Sequence, residues 1–228
     1  MDAAVMNGRL QRYGAGGMLR KAVIGLVTMM TAISVVPQSI AAAEPIKIVA
    51  LGDSLTQGFG LPLKDGFVPQ LERWLNENGA DVSLVNAGVS GDTTAGGLAR
   101  IEWTLAGGGD ALIVALGGND LLRGIDPASS RMNLDGILEK ARAAGLPTLL
   151  VGMKAPTNFG AEFKADFDAM YPKLAEAHGA IFDPFFLEGM IERPELFQAD
   201  RVHPNAEGVA VMVERIGPVV LELIAAVE

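Results

Sequence analysis

Ile46-Lys47-Ile48-Val49-Ala50-Leu51-Gly52-Asp53-Ser54-Leu55 is the stretch that decides the fold. A strand with one wet face alternates apolar and polar residues, whereas residues 46–51 are apolar at every position but Lys47. A near-continuous run of this kind, rich in β-branched side chains, predicts a strand buried on both faces. Gly52 ends it, and the chain turns sharply where Asp53 and Ser54 stand.

Working outward, runs of the same character recur at 82–85, 111–116, 147–151 and 180–182. Between them the apolar residues fall at helical spacing: Phe67, Leu71, Trp74 and Leu75; Leu98, Ile101 and Leu105; Leu134, Ile137, Leu138 and Ala141. Two further helices are predicted at about 163–178 and 206–227. Regular alternation of strand and helix predicts an α/β protein, a three-layer α/β/α sandwich around a five-stranded parallel sheet in flavodoxin-like order. Residues 44–228 contain no repeat or linker and are expected to form a single domain. The longer connections, at 52–63, 87–94, 117–130, 154–161 and 183–204, all follow predicted strands. They should gather at the carboxyl edge of the sheet, where open α/β sheets hold their ligands.

Residues 1–43 read differently. Arg9, Arg12, Arg20 and Lys21 precede an apolar run at 22–36, and Ala41-Ala42-Ala43 follows. This is the pattern of a signal peptide cleaved after Ala43, which makes the protein exported, periplasmic or secreted. The competing reading, a membrane anchor, is disfavoured by length: the 15-residue run would span only about 22 Å of a hydrocarbon core about 30 Å thick. Met-Leu-Arg-Lys from Met18 leads straight into the apolar run, so Met18 is a second candidate start.

The net charge is −9, and losing four basic residues against Asp2 alone would lower it by three more. Such a chain is repelled by nucleic acid and by anionic membrane surfaces, so neither nucleic-acid binding nor stable membrane insertion is expected. The chain has no cysteine and only His178 and His203. That excludes a thiol nucleophile and makes a multi-histidine metal centre untenable; no metal and no cofactor are expected.

Four segments carry chemistry. In Gly52-Asp53-Ser54-Leu55, a serine on a tight turn after a strand exposes its hydroxyl beside backbone N–H groups, although Asp53 or Ser54 would equally serve as a helix cap. In Asp200-Arg201-Val202-His203-Pro204, a histidine held by a carboxylate has the makings of a base, and Pro204 keeps it out of helical geometry. A solvated loop histidine is the alternative. In Ser90-Gly91-Asp92-Thr93, Gly91 allows its N–H to approach a substrate oxygen; in Gly117-Gly118-Asn119-Asp120, a close turn presents the Asn119 amide. Both also fit ordinary turn chemistry. His178, just before Gly179 at the end of a helix, reads as a structural residue with no acid suggestively spaced from it on a loop. The phosphate-cradling glycine patterns G-x-G-x-x-G and G-K-[ST] are missing beyond residue 43.

Gly52-Asp53-Ser54, Gly91, Gly117-Gly118-Asn119-Asp120 and Asp200-x-x-His203, in this order, resemble the four sequence blocks of the SGNH (GDSL-type) hydrolase superfamily. Leu-Gly-Asp-Ser-Leu, Val-Ser-Gly-Asp-Thr and Leu-Gly-Gly-Asn-Asp-Leu-Leu-Arg-Gly are similar to its bacterial periplasmic branch of thioesterase I, arylesterase and lysophospholipase enzymes. The resemblance implies a serine esterase with Ser54 as nucleophile, His203 as base and Asp200 as its orienter, with Ser54 N–H, Gly91 N–H and Asn119 as oxyanion donors. It also implies a mobile lip at 120–125 and a second wall at 154–160. The expected substrate contacts are Leu121, Leu122, Ile125, Pro156, Asn158 and Phe159, around the acyl or aryl group of a small ester or thioester. A catalytically silent lipid- or carbohydrate-binding protein on the same fold is the alternative.

Overall fold

The apolar run at 46–51 forms β1 (Ile46–Gly52), paired in parallel on both sides. Ile48 stands opposite Leu84 of β2 (Val82–Gly88) on one side and Ala111 of β3 (Ala111–Ala115) on the other. The sheet continues through β4 (Thr148–Val151) to β5 (Ile181–Asp183), with every pairing parallel and the strands in the order β2-β1-β3-β4-β5. This is the flavodoxin-like arrangement. The structure, a computed structural model, describes residues 44–227. The signal peptide assigned to residues 1–43 lies outside the described residues.

The helices are α1 (Ser54–Gln57), α2 (Phe67–Glu77), α3 (Thr94–Leu105), α4 (Gly118–Leu122), α5 (Pro127–Ala143), α6 (Ala161–His178) and α7 (Ala206–Ala225). Strand geometry sends successive side chains to opposite faces, and β1 shows the result. Ile48 and Ala50 join a core with Phe67, Leu71, Met212 and Ile216 of α2 and α7. Val49 and Leu51 join another with Ile101, Leu134, Ile137 and Phe167 of α3, α5 and α6. Each of these side chains is essentially sealed from water, worth roughly 1.5–3 kcal/mol for a large aliphatic or aromatic one. That is why the run tolerates no polar residue after Lys47.

Three boundaries differ from the sequence reading. β2 runs three residues beyond Val85, because Asn86, Ala87 and Gly88 keep their parallel register with Ala50, Leu51 and Gly52. The connection at 52–63 begins with α1, capped by Asp53, whose carboxylate accepts from Leu55 N–H. The connection at 117–130 contains α4 and the first turn of α5, where Asp126 caps the helix and Pro127 occupies its first turn. Short one-turn helices bury too few side chains to show a period.

His178 ends α6 and Gly179 closes the helix in a left-handed conformation, as its sequence context predicts. It does, however, have an acid: Nε2 lies 2.7 Å from Asp135 Oδ1 of α5, a partner that local spacing does not reveal. The pair sits at the amino end of β5, at the opposite end of the sheet from Ser54.

Candidate active site

β1, β2 and β3 deliver their carboxyl ends side by side, and the crossovers diverge at β1, which makes this edge the switch point of the sheet. Ser54 leaves β1 at the start of α1. Its Oγ lies 2.9 Å from His203 Nε2, and His203 Nδ1 lies 2.7 Å from Asp200 Oδ2. The second oxygen of Asp200 accepts from the backbone N–H groups of Val202 (2.9 Å) and His203 (3.0 Å). Those hydrogen bonds, the imidazole's first among them, hold the Asp200 carboxyl down at about 2. Burial is not the cause, since 40% of this side chain meets solvent. An ionised Asp200 fixes one tautomer: Nδ1 carries the proton, and the Nε2 lone pair faces the serine.

The loop bearing His203 is closed by its own backbone. Gln198 N–H donates to His203 O (2.8 Å) and Arg201 N–H to Gln198 O (2.9 Å). Arg201, between Asp200 and His203, takes φ of 59°.

Gly91 follows β2 with φ of 79°, a left-handed value that an L side chain rarely adopts. Its carbonyl accepts from Arg123 at the end of α4 (2.7 Å), tying the two loops together. Among the described residues no acceptor meets the N–H of Ser54 or of Gly91. Asn119 stands in α4 directly after Gly117-Gly118. Gly117 adopts φ of 116°, and a Cβ there would fall 2.1 Å from the hydroxyl of Tyr171, which donates to Leu116 O. The helix is pinned by Asp120, fully buried, which accepts from Thr94 N–H (2.9 Å), Thr94 Oγ1 (2.6 Å) and Ser130 Oγ (2.9 Å).

Ser54, Gly91, Asn119 and His203 all border one cavity of about 960 Å³. Its walls are largely apolar and include Phe59, Leu121, Met153, Phe185, Leu187 and Phe197. Of the expected substrate contacts, Leu121, Leu122 and Pro156 line it; Ile125, Asn158 and Phe159 do not. Ile125 follows α4 and is drawn back under it, its N–H bonded to Asp120 O. Phe159 turns instead into the core beside α6 and stacks on Phe163 at 5.0 Å, leaving Asn158 exposed outside the wall. The lip read at 120–125 is anchored at its start, with Asp120 and Leu121 buried and Leu122 projecting. The connection at 183–204, which sequence reasoning placed at this edge without naming lining residues, supplies Phe185, Leu187, Ile191, Pro194 and Phe197 to the cavity. Phe186 is buried against Phe67, while its neighbour Phe185 faces the cavity.

A serine hydroxyl, an imidazole and a carboxylate in one hydrogen-bonded line, at the carboxyl edge of a doubly wound sheet and beside free N–H groups, define the serine hydrolase class. The profile of the GDSL-like lipase/acylhydrolase family matches residues 50–211. The chain belongs to that family. It is 40% identical to esterase TesA of Pseudomonas aeruginosa over 185 residues, covering 81% of this chain and 91% of that protein. Thioesterase 1/protease 1/lysophospholipase L1 of Escherichia coli is 37% identical over 168 residues, 73% of this chain and 79% of that one. The crystal structure of AlinE4, an esterase of the SGNH-hydrolase family, superposes with a TM-score of 0.69 at 46% identity, covering 80% of this chain and 98% of the other.

Proposed function

We propose that this enzyme is an exported esterase that cleaves small carboxylic esters or thioesters through an acyl-enzyme on Ser54. The observation that carries this reading is the unbroken line from Ser54 Oγ through the His203 ring to Asp200. His203 Nε2 takes the hydroxyl proton as Ser54 attacks the carbonyl carbon. The charge that develops on the carbonyl oxygen is met by Ser54 N–H, Gly91 N–H and the Asn119 amide. The imidazolium, held by Asp200, then protonates the departing alcohol or thiol. A water activated by the same imidazole attacks the acyl-enzyme, and the acid leaves.

The apolar cavity beside Ser54 favours an acyl or aryl group as the part of the substrate held by the protein. Export rests on the basic, apolar and small-residue pattern of residues 1–43; among the described residues no helix is long and apolar enough to cross a membrane.

The test is hydrolysis of p-nitrophenyl acetate, butyrate and octanoate by the purified protein and by Ser54→Ala, with an organophosphonate probe alongside. Turnover and labelling that both vanish in Ser54→Ala would uphold the reading, and the ranking of the three esters reports acyl length. A folded protein that cleaves none of them and takes up no probe would overturn it in favour of a binding protein on the same fold.

A further inference from the structure

The mechanism above uses Asn119 but leaves unexplained why its amide should point the right way, and it gives no task to Asp53. The two side chains touch. Asn119 Nδ2 donates to Asp53 Oδ2 at 3.2 Å, while Asp53 Oδ1 accepts from Leu55 N–H at 3.0 Å. Asp53 is 4% exposed and has no cation against it among the described residues: Arg100, the nearby guanidinium, is engaged by Asp92 and by Gly52 O. A carboxylate in that position is costly, and a neutral residue would cap α1 as well.

We propose that Asp53 is a positioning residue whose negative charge locks the Asn119 amide with its nitrogen toward Asp53 and its second N–H toward the cavity. The inference rests on the esterase reading above. An amide can turn over by half a revolution, exchanging its oxygen and nitrogen at little steric cost. An ionised carboxylate only accepts, so it repels the amide oxygen and admits only the orientation with nitrogen inward. Of the two hydrogens on that nitrogen, one is spent on Asp53 and the other remains for the oxyanion. A protonated Asp53 can donate, tolerates the reversed amide, and so releases the donor that the tetrahedral intermediate needs. The other ionisable groups that act on Asp53 are His203, which favours its charge, and Asp92, which opposes it; Tyr171 feels its field in turn.

The discriminating variant is Asp53→Ser, which keeps a cap acceptor for Leu55 N–H but cannot reach Asn119. Asp53→Asn, isosteric and neutral, takes its place if the serine variant lacks a cooperative melt. With p-nitrophenyl butyrate, Asp53→Ser should lower kcat at least tenfold and move KM less than threefold. Introduced into Asn119→Ala, it should change kcat by less than threefold, because its effect passes through the missing amide. A wild-type kcat in Asp53→Ser, or losses that multiply in the double variant, would overturn the proposal. A second readout needs no turnover. The Asn119 side-chain amide resonance of ¹⁵N-labelled protein should shift with a midpoint near 6, the value to which burial raises Asp53. That step should be absent from Asp53→Ser; a step that persists there, or none in the wild type, speaks against the lock. An inert wild type that still shows the step would overturn the esterase reading and leave the lock standing.

Discussion

The ring of Phe59 lies over the imidazole of His203, centroids 4.6 Å apart and planes tilted by 40°. Phe59, two residues beyond α1, thus braces the imidazole that faces Ser54 at the head of α1. One side chain fastens this arrangement. Gln198 Nε2 donates to Phe59 O (2.7 Å) and Pro204 O (2.9 Å), bridging the loop after Ser54 to the loop that bears His203.

Gln198→Leu keeps much of the volume and removes both donors. It removes two hydrogen bonds, one of them to a carbonyl that water can reach, a loss of about 1 kcal/mol in stability. It also frees Phe59 and His203 to move apart, so kcat should fall about tenfold, equivalent to about 1.4 kcal/mol at the transition state. Urea unfolding and p-nitrophenyl butyrate turnover measure the two effects. A loss of stability with unchanged kcat would show that the bridge holds the loops without serving His203.

Arg201 is, among the described residues, the only one other than glycine with positive φ. It is held there because Asp200 draws the N–H groups of Val202 and His203 to one oxygen. A left-handed conformation costs an L residue about 1 kcal/mol, and a β-branched one more. The expected order of melting temperature is therefore Arg201→Gly above wild type above Arg201→Val, with the glycine gain held to about 0.5 kcal/mol by the freedom it adds to the unfolded chain. Thermal unfolding monitored by circular dichroism decides the order.

The strands were legible because their apolar runs have only one stable use, burial on both faces. The loops that follow them were legible as a set, since parallel connectivity puts every strand's end on one rim. What escaped is of two kinds. Some is local but too short to show a period: α1 and α4 bury only one or two side chains each. The rest is non-local. Arg123 reaching Gly91 O, Asp135 reaching His178 and Asp120 reaching Thr94 link positions from 26 to 43 residues apart, and no spacing rule connects them. Phe185 and Phe186 show the limit at single-residue scale, for adjacent phenylalanines go to cavity and core, with Phe186 N–H tied to Gly152 O, far away in sequence.

Asp120 is another acidic residue buried at this edge, and it fastens α4. Three donors from α3 and α5 converge on it. Removing the carboxylate leaves Thr94 N–H and two hydroxyls without their acceptor in a sealed site. Asp120→Ala should cost about 3–5 kcal/mol of stability. Because α4 carries Asn119, turnover should fall with it even where the variant remains folded. Urea midpoints with an unchanged m-value, beside activity at low temperature, test both. A loss under 1 kcal/mol would mean that the network relaxes around water.

Asp53 predicts a conflict between stability and activity, with a definite dependence on pH. Burial raises its carboxyl from 3.8 to about 6. Between those values the folded chain binds the proton more tightly than the unfolded chain does. Its contribution to folding is therefore greatest below pH 3.8 and is lost as pH rises through about 6, on the order of 3 kcal/mol in all. Asp53→Asn has no such titration. Relative to wild type, it should gain about 2.4 kcal/mol in unfolding free energy between pH 4 and pH 8, while its ester turnover at pH 8 stays depressed. Asp200, held at about 2, contributes the opposite sign, stability lost as pH falls below its ordinary range, but equally in both proteins, so it cancels from the comparison. Urea unfolding of the two proteins at pH 4 and pH 8 measures the difference. A constant difference across that range would mean that Asp53 is no harder to ionise in the fold than in water, and that its burial carries no cost.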